Sequence, residues 1–130
     1  MTVNSAANEP GADDQPIFHL AVPDDWAVAF TVGEYTMSTR GVTLEQEGFI
    51  HCSTREQMQD TANRFYADLD QLVVLTIDPQ LVPSPIVFEP PAPDIDVLFP
   101  HIYGALPIAA VNLASPWVRR PGHEWSIDDA

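Results

Sequence analysis

The stretch "EGFIHCSTREQ", Glu47 to Gln57, decides the fold because it predicts a strand that runs directly into a helix. "FIHCS" is a short apolar run bounded by polar residues, as in a half-buried strand. Ser53 is followed three residues later by Glu56, which is the spacing of a capping box at a helix start. An apolar stripe at helical spacing then continues through Met58, Ala62, Phe65, Tyr66 and Leu69. The segment therefore predicts a strand that ends where a helix begins at Ser53.

Alternation along this strand indicates which side chains share a face. Phe49, His51 and Ser53 point to one side, and Ile50 and Cys52 point to the other. His51 and Cys52 are therefore poorly placed as a base and a nucleophile, although they are adjacent. We predict that Cys52 packs inward as a small hydrophobic residue.

Further apolar runs predict four more strands and a second helix. The strands are Pro16–Val22, Gln71–Asp78, Ile86–Glu89 and Ile108–Ala114. The helix begins at Pro23 and stops at Gly33, with Trp26, Ala27 and Phe30 predicted on one face. Residues 34–48 have a weak pattern and are predicted as loop with a turn of helix.

These elements mix without a sustained βαβ rhythm, which favours an α+β fold over a parallel α/β fold. We predict a single domain over residues 16–125, with a split, largely antiparallel β-sheet and two main helices. Residues 1–15 are polar and acidic and are predicted as a disordered tail, and residues 126–130 as a disordered end.

Composition limits the class of protein. The chain has 130 residues, 45% of them hydrophobic, which fits one globular domain. No apolar run approaches the roughly 18 residues that cross a bilayer, and the N-terminus lacks the basic and apolar regions of a secretory signal. We therefore expect a cytoplasmic protein. A single cysteine excludes an internal disulfide and a multi-cysteine zinc site.

The charge limits the partners. The formal net charge is -14, from 19 acidic residues against five arginines and no lysine. Such a surface repels nucleic acid and anionic membranes, so we expect neither as a partner. A small anion can still be held locally by an arginine or a helix N-terminus. The charge therefore argues against DNA but not against a nucleotide.

Two histidines lie in the two clearest strands, and a third follows later in the chain. His19 is in the middle of "IFHLA", His51 is near the end of "FIHCS", and His101 precedes Tyr103 by two residues in "FPHIYG". We predict that His19 and His51 line one cleft. Glu89 ends a short strand before two prolines, and it gains interest only if the fold returns it beside the histidines.

The blocks "IFHLA", "EGFIHCST", "VLTID", "VFE" and "FPHIYGALPIAAV" occur in this order. Together they resemble the small bacterial family known as domain of unknown function 952, over Pro16 to about Trp117. That family is in turn similar to the ADP-ribosyltransferase-like fold, in which a split β-sheet encloses a cleft for NAD.

The resemblance implies roles for seven residues. The implied catalytic residues are His19, His51 and Glu89. The implied ligand-binding residues are Ser53, Thr54, His101 and Tyr103. This chain departs from the wider group by having histidine, where tyrosine is usual, at the second position. No metal ligand is implied.

The function implied is that of an NAD- or nucleotide-utilising transferase or hydrolase, with NAD as a substrate and a small molecule as the partner. The alternative is a non-catalytic module that binds a small molecule or nucleotide. Two further hypotheses stay open. One takes His19, His51 and His101 as metal ligands, because neutral imidazole suits zinc or nickel. The other is a purely structural interaction domain.

Overall fold

A computed structural model describes residues 15–130 and contains ten short strands and three helices in that range. The strands are β1 Ile17–Ala21, β2 Glu34–Tyr35, β3 Met37–Thr39, β4 Val42–Thr43, β5 Ile50–His51, β6 Gln71–Ile77, β7 Ile86–Glu89, β8 Phe99–Ile102, β9 Leu106–Pro107 and β10 Val111–Val118. The helices are α1 Pro23–Val32, α2 Leu44–Glu47 and α3 Met58–Phe65. None of these helices is long and apolar enough to cross a membrane.

The strands form two three-stranded sheets and two short ribbons. The first sheet has the order β1-β6-β10 and the second the order β5-β8-β7, while β2 pairs with β9 and β3 with β4. Every one of these strand pairs in residues 15–130 is antiparallel. The structure thus confirms a small mixed domain with several antiparallel sheets and two helices longer than one turn.

The end of the "FIHCS" stretch joins the two larger sheets. Ser53 exchanges two backbone hydrogen bonds with Phe18 of β1, at 2.8 and 2.7 Å. The preceding residue, Cys52, donates its backbone N–H to Pro100 of β8 at 3.0 Å. Consecutive residues of one segment are therefore bonded to different sheets, which fixes how β5 lies relative to β1.

The hydrophobic core has two parts, one on each side of strand β6. Leu75 and Ile77 face the part that contains Ile50 of the second sheet, whereas Leu72 and Val74 face the part under α3. This is the two-residue alternation of a strand that is covered on both faces. Strand β6 is apolar along most of its length for this reason.

Helix α3 starts later than predicted. The backbone N–H of Ser53 is bonded to β1, so Ser53 continues the extended chain. A 3-10 turn, Arg55–Gln57, precedes the helix, and the side chain of Gln57 accepts the backbone N–H of Thr54 at 3.0 Å. The predicted Ser53–Glu56 capping box is thus replaced by a Thr54–Gln57 contact, because strand pairing uses Ser53.

Both long helices bury a narrower face than their sequences predict. Of the α3 stripe, Phe65 is 57% exposed, while the next residue, Tyr66, is buried and its carbonyl accepts the indole N–H of Trp125. In α1 only Ala29 is fully buried, and Phe30 is 68% exposed. The small sheets cover only part of each helix, so apolar residues remain at the surface.

The loop predicted over residues 34–48 contains three short strands and α2. Thr43 and Gln46 form a reciprocal capping box at the start of α2, and Gly48 ends it with a left-handed φ of 97°. Strands of two or three residues carry too few alternating positions for a sequence pattern to reveal them, which explains the difference.

The C-terminal segment differs from its prediction as well. Strand β10 runs to Val118, beyond the predicted Ala114, and residues 127–129 form a 3-10 turn. Ser126 accepts the indole N–H of Trp117 at 2.9 Å, and Ile127 donates its backbone N–H to Gln59 of α3 at 2.8 Å. The predicted disordered tail, residues 1–15, lies outside the described residues apart from residue 15.

In the turn after β8, Gly104 packs closely against Ser84. Replacing Gly104 by alanine is expected to lower the free energy of unfolding by about 1–3 kcal/mol, as for an overpacked site. The new Cβ would lie 2.7 Å from Cβ of Ser84 and would overlap its hydroxyl. Urea denaturation of Gly104→Ala, Ser84→Gly and the double variant measures the coupling. A double variant that recovers none of the loss would contradict this contact.

Candidate functional site

The second sheet brings His51 and His101 together. In the register of β5 and β8 these two residues are direct partners, and Val87 of β7 is the partner of His101 on the other side. Directly opposed residues in a sheet project from the same face. The two imidazole rings accordingly lie 4.9 Å apart, in an edge-to-face arrangement with an angle of 87°.

The same sheet face also carries Glu89. Its Oε2 lies 2.7 Å from Nδ1 of His101, and the hydroxyl of Tyr103 donates to that same oxygen. No hydrogen bond to Oε1 occurs within residues 15–130, and the Glu89 side chain is 29% exposed. The hydrogen bonds from Tyr103 and then His101 lower the pKa of Glu89. The fold therefore returns a carboxylate to the histidines, the condition that made Glu89 interesting in the sequence.

Phe49 completes this group, and no role was predicted for it. Its ring stacks on the imidazole of His101 with centroids 4.0 Å apart and an angle of 16°. It also lies 4.8 Å from the ring of His51 and 5.3 Å from the ring of Tyr103. The alternation of side chains along the strand placed Phe49 on the same face as His51. This was the one sequence pattern that could have indicated Phe49 as a site residue. We refer to Phe49, His51, Glu89, His101 and Tyr103 as the β8 cluster.

His101 has one occupied and one unoccupied ring nitrogen. Its side chain is fully buried, Nδ1 is held by Glu89, and Nε2 has no hydrogen-bond partner within the described residues. An unpartnered polar atom that is shielded from solvent is costly, and native proteins rarely keep one without a reason. The nitrogen therefore lacks a hydrogen bond that only a group entering the space beside it could supply.

His51 is only half-buried, so it is the more accessible of the two imidazoles. Burial lowers its pKa, and the neighbouring His101 lowers it further, against an opposing effect of Glu47. The ring is consequently mostly neutral at pH 7, and a neutral imidazole can accept a proton.

His19 meets the backbone of His51 instead of its ring. It is 2% exposed; Nδ1–H donates to the carbonyl of His51 at 2.6 Å, and the hydroxyl of Tyr35 donates to Nε2 at 2.8 Å. Burial lowers its pKa to about 4, so the ring is neutral and both its nitrogens are used. This geometry makes His19 a positioning residue for β5. Tyr35 lies in the segment predicted as loop, and no sequence signal marked it.

Ser53 and Thr54 lie beside the cluster without joining it. The hydroxyl of Ser53 is buried and is 3.2 Å from the hydroxyl of Thr61 on α3. Thr54 begins the 3-10 turn. Neither residue forms a hydrogen bond to His51, His101 or Glu89. The structure therefore does not bring these two predicted ligand-binding residues to the cluster.

Cys52 lies on the opposite face of the strand. It is buried in the first part of the core and forms no disulfide. Burial raises the pKa of its thiol, which keeps it protonated and unreactive. The predicted inward packing of Cys52 is confirmed.

A metal centre and a surface depression are the alternatives to the β8 cluster. Within residues 15–130 no group of three or more His, Cys, Asp or Glu side chains converges to hold a metal ion. A shallow surface depression of about 520 Å³ is lined by Val22, Asp24, Asp25, Arg40, Gly41 and Leu69. Arg40 is paired with Asp68 there at 2.8 Å, and no predicted site residue lines this depression.

The sequence matches the model of a protein family over residues 20–114. The chain belongs to this family. It is described as "Protein of unknown function (DUF952)". The matched residues include β5, β7 and β8, so the whole β8 cluster lies within the matched part of the chain.

Solved structures of protein CC0527 from Caulobacter crescentus have the same fold. The crystal structure of a double mutant is 23% identical, covers 88% of this chain and 96% of its own chain, and has a TM-score of 0.74. The solution NMR structure is 22% identical, with coverages of 88% and 94% and a TM-score of 0.70. At this identity the likeness concerns the fold alone. No curated protein matches the chain.

The buried His19 predicts a specific dependence of stability on pH. Its pKa is about 4 in the folded chain against 6.5 for an unperturbed histidine, so the unfolded chain binds a proton first as the pH falls. Its contribution is complete above pH 6.5 and is lost progressively between 6.5 and about 4. Between pH 7 and about pH 5 we expect His19 to lower the free energy of unfolding by about 2 kcal/mol.

Urea denaturation at both pH values measures this loss. The matched control is His19→Asn, which cannot titrate in this range and should lose about 2 kcal/mol less over the same interval. Because His51 titrates in both proteins, the comparison isolates His19. An equal loss in the two proteins would contradict the sealed, neutral His19.

Proposed function

We propose that this chain is an enzyme that cleaves the bond between ribose and base in NAD or a related nucleotide, in an ADP-ribosyltransferase-like cleft at the β8 cluster. The observation that carries the proposal is the carboxylate of Glu89, held by His101 and Tyr103 beside a second imidazole. A transferase and a hydrolase differ only in whether an acceptor group or water attacks the ribose.

Glu89 is suited to the central step. Departure of the base leaves positive charge on the ribose carbon and ring oxygen, and a fixed carboxylate stabilises such a transition state. The hydrogen bonds that lower its pKa keep Glu89 ionised at neutral pH. They occupy Oε2 only, which leaves Oε1 for a ribose hydroxyl.

The imidazole of His51 is suited to moving a proton. His51 is mostly neutral and half-exposed, so it can take a proton from the attacking water or acceptor. The unpartnered Nε2 of His101 would bind a substrate hydroxyl that enters the buried space beside this ring. The rings of Phe49 and Tyr103 offer apolar walls for a flat base.

The remaining predicted residues do not contact the substrate in this proposal. His19 fixes the carbonyl of His51 and thereby the position of β5. Ser53 and Thr54 hold the junction between β5 and α3, through the bonds to Phe18 and Gln57. These three residues are positioning residues and not groups that touch the substrate.

The second candidate is a binding module without turnover. One observation favours it: both protein hydrogen bonds to Glu89 lower its pKa and so make it a weaker base. A carboxylate held in this way can orient a ribose without supporting chemistry. This candidate shares the ligand and the site with the first, and only product formation separates them.

Glu89→Gln tests the enzyme directly. Glutamine keeps the shape and an oxygen acceptor for His101 and Tyr103 but removes the charge. We expect the wild-type protein to release the base from NAD. The variant should do so at least about 100-fold more slowly, as on removal of one group that stabilises the transition state. Affinity for NAD, measured by isothermal titration, should fall by no more than about tenfold and so by much less than the rate, since most contacts remain.

Glu124→Gln is the matched control, because it removes the same charge from the C-terminal segment, outside the second sheet. Its rate should equal that of the wild type. Binding heat without product would identify the binding module. A folded sample that shows neither heat nor product with millimolar NAD or nicotinamide riboside would contradict both candidates.

A further inference from the structure

The charges around the β8 cluster are negative. Glu89 is held within it, and the carboxylate of Glu47 acts on His51. The chain as a whole carries a net charge of -14. A cleft lined by one sign of charge raises the local concentration of ligands of the opposite sign. The electrostatics therefore favour a cation at this face.

Arginines do not compensate for these charges. Arg40, Arg119 and Arg120 are each paired with an aspartate elsewhere. Arg55 and Arg64 lie in the 3-10 turn and in α3, and neither forms a hydrogen bond or ion pair with the cluster. Tight phosphate binding usually relies on such cations or on a helix N-terminus. No residue of the cluster supplies either.

Aromatic rings lie next to the carboxylate. Phe49 and Tyr103 are 5.3 Å apart, and Tyr103, which donates to Glu89, is among the exposed large side chains. Cations are attracted to the faces of aromatic rings, most strongly where water is partly excluded. An aromatic pair beside a carboxylate is the combination that binds organic cations.

The unpartnered Nε2 of His101 is an independent sign of a ligand here. This nitrogen is fully buried, and its ring lies between Phe49, His51 and Glu89. It offers a polar contact next to the carboxylate and the aromatic pair. A flat ligand with one positive charge and one hydrogen-bonding group matches these three features together.

We propose that the β8 cluster binds a small aromatic cation and prefers it without phosphate, so that the substrate class is a ribosylated pyridinium nucleoside more than a dinucleotide. This inference rests on the proposed function, whose substrate carries a positively charged ring on ribose. It restricts the substrate class to molecules that carry the positive ring but no phosphate. The pyrophosphate of NAD would approach an acidic surface with no arginine bonded to the cluster.

The predicted preference for a cation is tested with two ligands that share a ring but differ in charge. They are 1-methylnicotinamide, which is a cation, and nicotinamide, which is neutral. NMR titration of the wild-type protein should give a dissociation constant at least about tenfold lower for the cation. In Glu89→Gln the ratio should fall below about threefold, and in Glu124→Gln it should stay as in the wild type.

Phosphate is tested by a second pair, nicotinamide riboside and its 5′-monophosphate. The monophosphate should bind at least about tenfold more weakly at low salt, and the difference should shrink as salt is added. Phe49→Leu provides a second variant. It should weaken binding of the cation without changing the ratio of the dissociation constants of the riboside and its monophosphate. Preserved chemical-shift dispersion in each variant shows that it is folded.

The outcomes separate this inference from the proposed function. Cleavage of NAD without any preference for the cation would overturn the inference and leave the enzyme. A preference for the cation without cleavage of NAD or the riboside would leave the inference and remove the enzyme. Equal binding of the charged and neutral rings, no binding of either, or tighter binding of the monophosphate would overturn the inference.

Discussion

Strand β8 is paired on both sides, with β5 and with β7, and the rest of the site depends on the register of these pairs. His101 is opposite His51 on one side and Val87 on the other, and Glu89 is two residues further along β7. Side chains alternate between the faces of a strand, so a slip of one residue would turn one strand's part of the cluster to the other face.

Burial then gives the three strand histidines different roles. His19 is sealed and has partners on both nitrogens, which makes it part of the framework. His51 is half-buried and accessible. His101 is fully buried but retains one free nitrogen. Three imidazoles that look alike in the sequence thus differ in solvent access and in hydrogen-bond partners, because the fold buries and contacts each one differently.

How far prediction reached can be seen at individual residues. The alternation in "FIHCS" correctly sent Ile50 and Cys52 into the core, and the prolines around "IVFE" gave β7 its observed bounds. The cap at Ser53 was wrong by one residue, because a long-range pairing with Phe18 competes with a local contact. Phe65 fits the helical stripe by spacing but lies at the surface, since no neighbouring element covers it.

The sequence by itself determined the α+β class, strands β1, β6 and β7, the two longer helices, the acidic composition and the inward side of Cys52, but not strand β8. These properties follow from contacts two to four residues apart or from composition, which a linear pattern records. Only the tertiary structure decided that Glu89 contacts His101 and that Phe49 stacks on the same ring. It also decided that the hydroxyl of Tyr35 donates a hydrogen bond to Nε2 of His19. Those contacts join segments that are far apart along the chain, and strand register and burial in the folded domain bring them together.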